Sequence, residues 1–359
     1  MTKFEENSLT DYLKETSGHQ HLKYFDRASI ALKSLLLGLE NKAESKTIAV
    51  PSFLCHAPVS AIVAAGWKPY FLDTSLESAQ VTSESLLLAK KNGVKVFLWV
   101  HMFGLSNESE IYRNLAKEPG FFVIEDACLS LGAKSFDSYC GAFGNVSLYS
   151  FGPTKNLYLG GGGAIVYSED SLLFKIECEK TDLLKESHFK VMFYDALQTF
   201  RENDDSSSLK GLIEAYIPYL PTTWDMSNRL KFNRHHFDVS LKSRMEKFQM
   251  YESSLKGTNI HVFKSKNMTP WRFVFRIPGL NRQEQNTIAA YLKEHGLDVS
   301  SWYVPCHLMV DMDCHSDSLK NTETLSNEIF QLWLDESISI EKIKINCEIL
   351  IRCLRRVLQ

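Results

Sequence analysis

The sequence predicts an α/β protein: a large unit on a mostly parallel mixed sheet flanked by helices, followed by a smaller C-terminal α+β unit. Three observations carry this. Strand-like and helix-like runs alternate from residue 47 to residue 127. The strand-like runs are apolar at successive positions, as strands covered on both faces are. Near residue 230 the character changes, and a long polar helix leads into an alternating pattern. The expected division is residues 1–230 for the large unit, with an N-terminal arm over 1–20, and 231–359 for a linker helix and the small unit.

In chain order, residues 1–20 read as a weakly amphipathic helix or arm. YFDRAS then leads into the apolar run IALKSLLLGLE, which puts Asp26, Arg27, Ala28 and Ser29 at a helix N-terminus. Such an end binds anions through backbone N–H groups without intrahelical partners, and small residues let the anion approach. The blander alternative is that Ser29 simply caps the helix. TIAVPSF (47–53), KPYFLDT (68–74), VKVFLWVHMFG (94–104) and FFVIEDA (121–127) read as strands. Between them, HAPVSAIVAAG (56–66), which ends on Gly66, VTSESLLLAKKNG (81–93), with a cap and a terminal glycine, and ESEIYRNLAKEPG (108–120) read as helices. GAIVYSEDS (163–171) is a return strand. Residues 170–225 read as helical with irregular stretches, and ENDDSSS (202–208) has the composition of a mobile loop. Beyond the linker helix, WRFVFRI (271–277) alternates like a half-exposed strand, NRQEQNTIAAYLKEHG is a helix with a glycine stop, and two final helices cover 322–357.

Composition narrows the function classes. With 359 residues, 44% hydrophobic and 23% charged, the chain has ample material for a core. A formal net charge of −3 gives no general field favouring nucleic acid or an anionic membrane. The eight cysteines are scattered, without a CxxC pair, which indicates reduced thiols rather than a disulfide framework or a metal site. MTKFEENSLTDYLKE is polar and acidic, unlike a signal peptide. No apolar run reaches the roughly 18 to 20 residues that span a bilayer. The expected location is the cytoplasm, with no membrane and no nucleic-acid partner.

The chemistry concentrates in residues 124–163, IEDACLSLGAKSFDSYCGAFGNVSLYSFGPTKNLYLGGGG. Asp126 closes one buried strand, Ser150 closes another, and Lys155 follows on a Gly/Pro-punctuated loop ahead of four glycines. Ligands of parallel sheets sit at the carboxyl ends of strands. A lysine that forms a Schiff base and a carboxylate that keeps a pyridine nitrogen protonated are what pyridoxal phosphate (PLP) chemistry requires. Each residue also has an ordinary reading: Asp126 can cap the next turn, and most lysines are solvated. A nucleotide-binding α/β enzyme is the competing class. It is disfavoured because no GxGxxG or GxxxxGKS/T follows a first strand.

The order of these pieces resembles the DegT/DnrJ/EryC1/StrS sugar aminotransferases, which are PLP enzymes of fold type I. The resemblance rests on RASIAL, VPSFLCHAPVSAIVAAGWKPYFLD, VHMFG, VIEDACLSLGA and GAFGNVSLYSFGPTKNLYLGGGGAIV, which cover residues 24–167. The C-terminal third matches only through the position of WYVPCHL. The resemblance implies that Lys155 is the Schiff-base lysine and proton carrier. It implies that Asp126 partners the pyridinium nitrogen, and that Ala28, Ser29 and Ser150 hold the phosphate. Ser227 or Asn228 falls where the family reaches the neighbouring subunit's phosphate, which implies a homodimer with shared active sites. Trp302, Tyr303 and His307 fall where the small domain closes the site. Arg229, Lys231 and Arg234 are candidates for a diphosphate.

Three positions depart from the family pattern. Leu129 stands where Gln or His is usual and cannot donate a hydrogen bond. Cys55 replaces the aromatic that covers the ring, with His56 beside it. Ala28 replaces a glycine in the phosphate turn. Some relatives carry histidine in place of the lysine and are dehydratases; retained Lys155 favours transamination. The implied reaction moves an amino group, commonly from glutamate, to a keto sugar that is usually nucleotide-linked, in surface-polysaccharide or secondary-metabolite synthesis. The alternatives are a PLP enzyme with a divergent, non-nucleotide substrate and a degenerate, non-catalytic member.

Overall fold

The computed structural model describes residues 8–40, 45–169, 172, 174, 183–216, 232–301, 303–316 and 318–357. Its strands are β1 (His21–Phe25), β2 (Thr47–Pro51), β3 (Lys68–Leu72), β4 (Val96–Val100), β5 (Phe122–Asp126), β6 (Lys134–Ser135), β7 (Ser138–Tyr139), β8 (Val146–Ser150), β9 (Gly163–Tyr167), β10 (His261–Val262), β11 (Phe273–Arg276), β12 (His315–Ser316) and β13 (Ile329–Leu332). Its helices are α1 (Leu9–Ser17), α2 (Ala28–Leu39), α3 (His56–Ala64), α4 (Ser83–Lys91), α5 (Glu110–Leu115), α6 (Leu183–Asn203), α7 (Leu212–Tyr216), α8 (Arg234–Ser254), α9 (Arg282–Glu294), α10 (Lys320–Glu328) and α11 (Ile340–Val357).

The main sheet has eight strands in the order β1-β9-β8-β5-β4-β2-β3-β12. From β8 to β12 every neighbouring pair is parallel, and only β9 and β1 run against their neighbours. This is the mostly parallel mixed sheet that the apolar runs predict. β4 is buried at every position, as a central parallel strand covered on both faces must be. One side of the sheet packs against α2 and α3 through Leu32, Leu35, Ile62, Leu98, Ile124 and Leu148. The other buries Trp99, which stacks on Tyr112 of α5 with centroids 5.2 Å apart. Arriving strands place their carboxyl ends on one edge, so Asp126 at the end of β5 and Ser150 at the end of β8 face the same side.

A second, three-stranded antiparallel sheet has the order β10-β11-β13. Here three sequence expectations need correction. WRFVFRI is not half-exposed: every residue from 271 to 277 is buried. β11 is the middle strand, and its Arg276 is buried because it has partners. Arg276 pairs with Glu328 at 2.9 Å and with Glu77 at 3.1 Å. Residues 322–357 are not simply two helices, because β13 lies between α10 and α11 and pairs with β11. ENDDSSS is not one irregular loop: α6 runs through Asn203, and Asp205 then caps a short 3-10 turn, Ser206–Leu209, by accepting from the Ser207 N–H.

Local signals elsewhere hold. Thr82 caps α4, and Asn281 with Glu284 forms a reciprocal capping box on α9. The arm contributes α1, which buries Leu9, Tyr12 and Leu13. No helix among the described residues is long and apolar enough to cross a membrane.

Candidate active site

A cleft of about 830 Å³ opens at the carboxyl edge of the main sheet. It brings together Ala28, Ser29, Cys55, Asp126, Leu129, Ser150, Lys155 and Tyr303, eight of the residues singled out in the sequence. They come from widely separated segments, and the strand order is what unites them.

Asp126 is 5% exposed and accepts the Cys128 backbone N–H on Oδ1 at 2.9 Å. Immediately before it, Glu125 is fully buried on the opposite side of the strand, as alternation requires. Its carboxylate collects the N–H groups of Gly141 at 2.6 Å, Phe143 at 2.7 Å and Gly144 at 2.7 Å, together with His101 Nε2 at 2.8 Å. The Asn107 N–H donates to His101 Nδ1 at 3.0 Å, so the ring proton sits on Nε2 and is donated to Glu125. Burial pushes the Glu125 carboxyl up, but the His101 contact and the backbone donors outweigh it and hold the group below the ordinary carboxylate value. The pair ties the ends of β4 and β5 to the 139–144 turn. Neither residue stood out in the sequence, although a charged residue inside an apolar strand was the available signal.

Lys155 sits on a turn held from three directions. Thr154 adopts φ 67°, a costly conformation for a β-branched residue. Its carbonyl accepts the indole N–H of Trp271, and the Trp271 backbone N–H donates to Phe103 O at 3.0 Å. On the other side, Asn156 Nδ2 donates to Leu129 O at 3.2 Å and Thr269 O at 3.0 Å. Asn156 therefore links the lysine turn to the segment after Asp126 and to the approach of β11.

The α2 N-terminus lies against the glycine run. The N-cap is Arg27, extended at φ −147° and ψ 154°, and no side chain caps the helix. Ser29 is therefore not the cap but stands in the first turn with Ala28, and the first N–H groups remain available at the cleft. Ala28 is the first helical residue, so the missing glycine imposes no positive φ. A Cβ on Gly163 would meet Ala28 N at 2.4 Å and Arg27 C at 2.7 Å, which explains why β9 begins on glycine.

Cys55 is the N-cap of α3, also without a side-chain cap bond. Burial raises its thiol pKa, with the Lys155 charge opposing. His56 is not on the cleft wall. It packs between Phe193, at 4.9 Å, and Tyr216, at 5.1 Å, and burial lowers its pKa to about 4. His307 likewise lies off the wall. Its Nδ1 is 2.8 Å from Ser52 Oγ, and its Nε2 is 3.3 Å from Glu323. Tyr303 does line the cleft, packed between Phe53 and Phe103. Arg234 pairs with Glu15 at 3.4 Å, away from the cleft. Ser227, Asn228, Arg229, Lys231 and Trp302 lie outside the described residues. Two lining residues the sequence reading missed, Arg272 and Trp333, stand immediately before β11 and immediately after β13.

Comparison with known proteins fits this geometry. The chain is 30% identical to GDP-perosamine synthase of Escherichia coli O157:H7 over 169 residues, 46% of each chain. It is 26% identical to UDP-N-acetyl-3-dehydro-alpha-D-glucosamine 3-aminotransferase of Acidithiobacillus ferrooxidans, over 54% of this chain and 50% of that one. These matches span about half the length of the curated relatives. The Helicobacter pylori PseC structure, an aminotransferase involved in the biosynthesis of pseudoaminic acid, superimposes with a TM-score of 0.72 at 15% identity. That match covers 96% of this chain and 89% of that one. The family model matches residues 2–193 and 232–350. This chain belongs to the DegT/DnrJ/EryC1/StrS aminotransferase family.

Proposed function

We propose that the protein is a PLP-dependent aminotransferase that delivers an amino group, from glutamate as donor, to a keto sugar, in the nucleotide-linked form named for its relatives. The observation that carries the reading is the convergence of Lys155 and Asp126 with an uncapped helix N-terminus in one cleft. The donor set suits the coenzyme. The free N–H groups at the start of α2, with Ser29 and Ser150, suit a phosphate. The buried carboxylate of Asp126 suits a protonated ring nitrogen. Gly163 lets the glycine run approach α2 at backbone distance.

Bound there, pyridoxal phosphate supplies an electron sink for cleavage of the substrate Cα–H bond. The protein residues do the rest. Lys155 Nζ would hold the coenzyme and would carry a proton from and back to the substrate as general base and acid. Asp126 is fixed by the Cys128 N–H and by the Glu125–His101 clamp behind it, so it stays aimed as charge develops. Leu129 and Cys55 give the cleft an apolar cover that excludes water but donates no strong hydrogen bond. The chain is read as two units, residues 1–230 and 231–359, working as a homodimer with shared sites in the cytoplasm.

The test is amine transfer. Purified protein loaded with PLP is given glutamate and UDP-, dTDP- and GDP-linked keto sugars, and 2-oxoglutarate release is followed. Glutamate-dependent amination of one of them is the expected result. If every sugar is refused while another carbonyl compound accepts the amine, the sugar assignment fails.

A further inference from the structure

The cleft wall supplied by β11 and β13 carries a binding element that the amino-transfer chemistry does not use. Arg272 immediately precedes β11, lines the cleft and is only 8% exposed. Its guanidinium lies 3.5 Å from the ring centroid of Trp333 and 4.1 Å from that of Trp271. Its Nη1 donates to Gln331 Oε1 at 2.9 Å, a neutral acceptor. No carboxylate among the described residues lies within ion-pair distance of it; Asp298 and Asp335 act only from further away. Arg272 Nε and the neighbouring Trp333 Nε1 are both buried N–H donors without a partner among the described residues. Burial lowers the Arg272 pKa to about 10, which leaves it cationic at neutral pH.

A buried cation with its own Nε–H unpartnered, beside an indole N–H that also lacks a partner, carries a desolvation cost that a ligand anion relieves. The flat fork of a guanidinium matches a carboxylate with two parallel bonds. One guanidinium balances one carboxylate, whereas a phosphate would bring excess negative charge against two indole rings. The hydrogen bonds from Trp271 to Phe103 and Thr154 hold this wall against the lysine turn. The geometry points to Arg272 and Trp333 Nε1 as the receptor for a carboxylate of a substrate handled at Lys155. The identity of that substrate rests on the aminotransferase reading; the carboxylate site itself does not. Two sources share the chemistry: the amino donor and its keto acid, or an acidic sugar acceptor.

Calorimetric titration separates them. The probes are 2-oxoglutarate and UDP-glucuronate, with UDP-glucose as the counterpart lacking the carboxylate. Each is titrated into wild type, Arg272→Gln, Arg272→Lys and Trp333→Phe, both PLP-loaded and coenzyme-free, with coenzyme content measured separately. Loss of a desolvated charge pair predicts at least about 30-fold weaker carboxylate binding in Arg272→Gln. Arg272→Lys keeps the charge but loses the fork and falls between. Trp333→Phe loses a few-fold, and UDP-glucose binding and coenzyme content stay unchanged. A loss confined to 2-oxoglutarate assigns the carboxylate to the donor, and one confined to UDP-glucuronate assigns it to the acceptor. If Arg272→Gln folds poorly, Arg272→Lys and Trp333→Phe carry the same comparison. Wild type binding neither acid, or variants binding both as wild type does, overturns the inference. If wild type retains no coenzyme but binds a carboxylate through Arg272, the aminotransferase reading fails and this inference stands.

Discussion

The indole N–H of Trp271 donates to the backbone carbonyl of Thr154, the residue before Lys155 and 117 positions earlier in the chain. Thr154 is held at φ 67°, a conformation that costs about 1–3 kcal/mol and persists only where surrounding contacts enforce it. The lysine turn is thus fastened to the approach of β11, and the same tryptophan places Arg272 on the cleft wall. Lysine position and wall position are coupled through this bond and through Asn156, which donates to Thr269 O on the same approach.

Trp271→Phe removes that donor while keeping the ring that stacks on Phe103 at 6.4 Å. The Thr154 carbonyl then lacks its partner, and stability falls by about 1–2 kcal/mol in urea unfolding. PLP capture by Lys155, followed by absorbance, slows as well. Unchanged capture kinetics would show that the turn holds itself.

Gly163→Ala places a methyl group against Arg27 and Ala28 backbone atoms, which cannot swing aside as a flexible side chain can. The start of α2 must shift, at about 1–3 kcal/mol. If the start of α2 holds the phosphate as proposed, PLP affinity, measured by equilibrium titration, falls at least tenfold. Gly160→Ala is the control: a Cβ there meets nothing within 4 Å, so the cost is confined to its φ of +81°. Equal losses of PLP affinity in the two variants would remove the α2 contact as the cause.

Glu125 gives the fold an acid-sensitive element. Its folded-state pKa is depressed, so its contribution is complete above the unfolded value, about 4.3, and is lost as pH falls through the lower folded value. Glu125→Gln destabilises by about 1–3 kcal/mol at pH 7, because it removes the carboxylate that accepts the His101 and backbone N–H groups and sets an amide N–H against buried donors. The difference from wild type shrinks toward pH 3. Unfolding free energies measured across that range check the sign; a constant difference contradicts it.

Leu129 lines the cleft and is 9% exposed. Leu129→Gln introduces a hydrogen-bond donor on the cleft wall. A shift in the absorption maximum of bound PLP is expected, with stability within about 1.5 kcal/mol of wild type. An unmoved spectrum would place Leu129 away from the coenzyme.

Much of the large unit was legible in the sequence. Apolar runs on both faces identify the parallel strands, and strand ends locate Asp126 and Ser150 without coordinates. What stayed hidden was long-range pairing. Alternation in WRFVFRI suggested an exposed face because arginine is usually solvated; aromatic rings and Glu328 bury it instead. Arg272 was missed for that reason. His307 was expected on the wall because its segment reaches the site, yet its ring turns toward Ser52 and Glu323. A position near the site does not determine where a side chain points. Asn156, beside the lysine, was overlooked because its partners, Leu129 and Thr269, come from distant segments.

The most direct measurement is chemical. Protein incubated with PLP is reduced with borohydride, digested and mapped by mass spectrometry. Visible absorption before reduction and a single pyridoxyl adduct on Lys155, absent in Lys155→Ala, are expected. A protein that stays colourless, or an adduct spread over other lysines and unchanged in that variant, would contradict it.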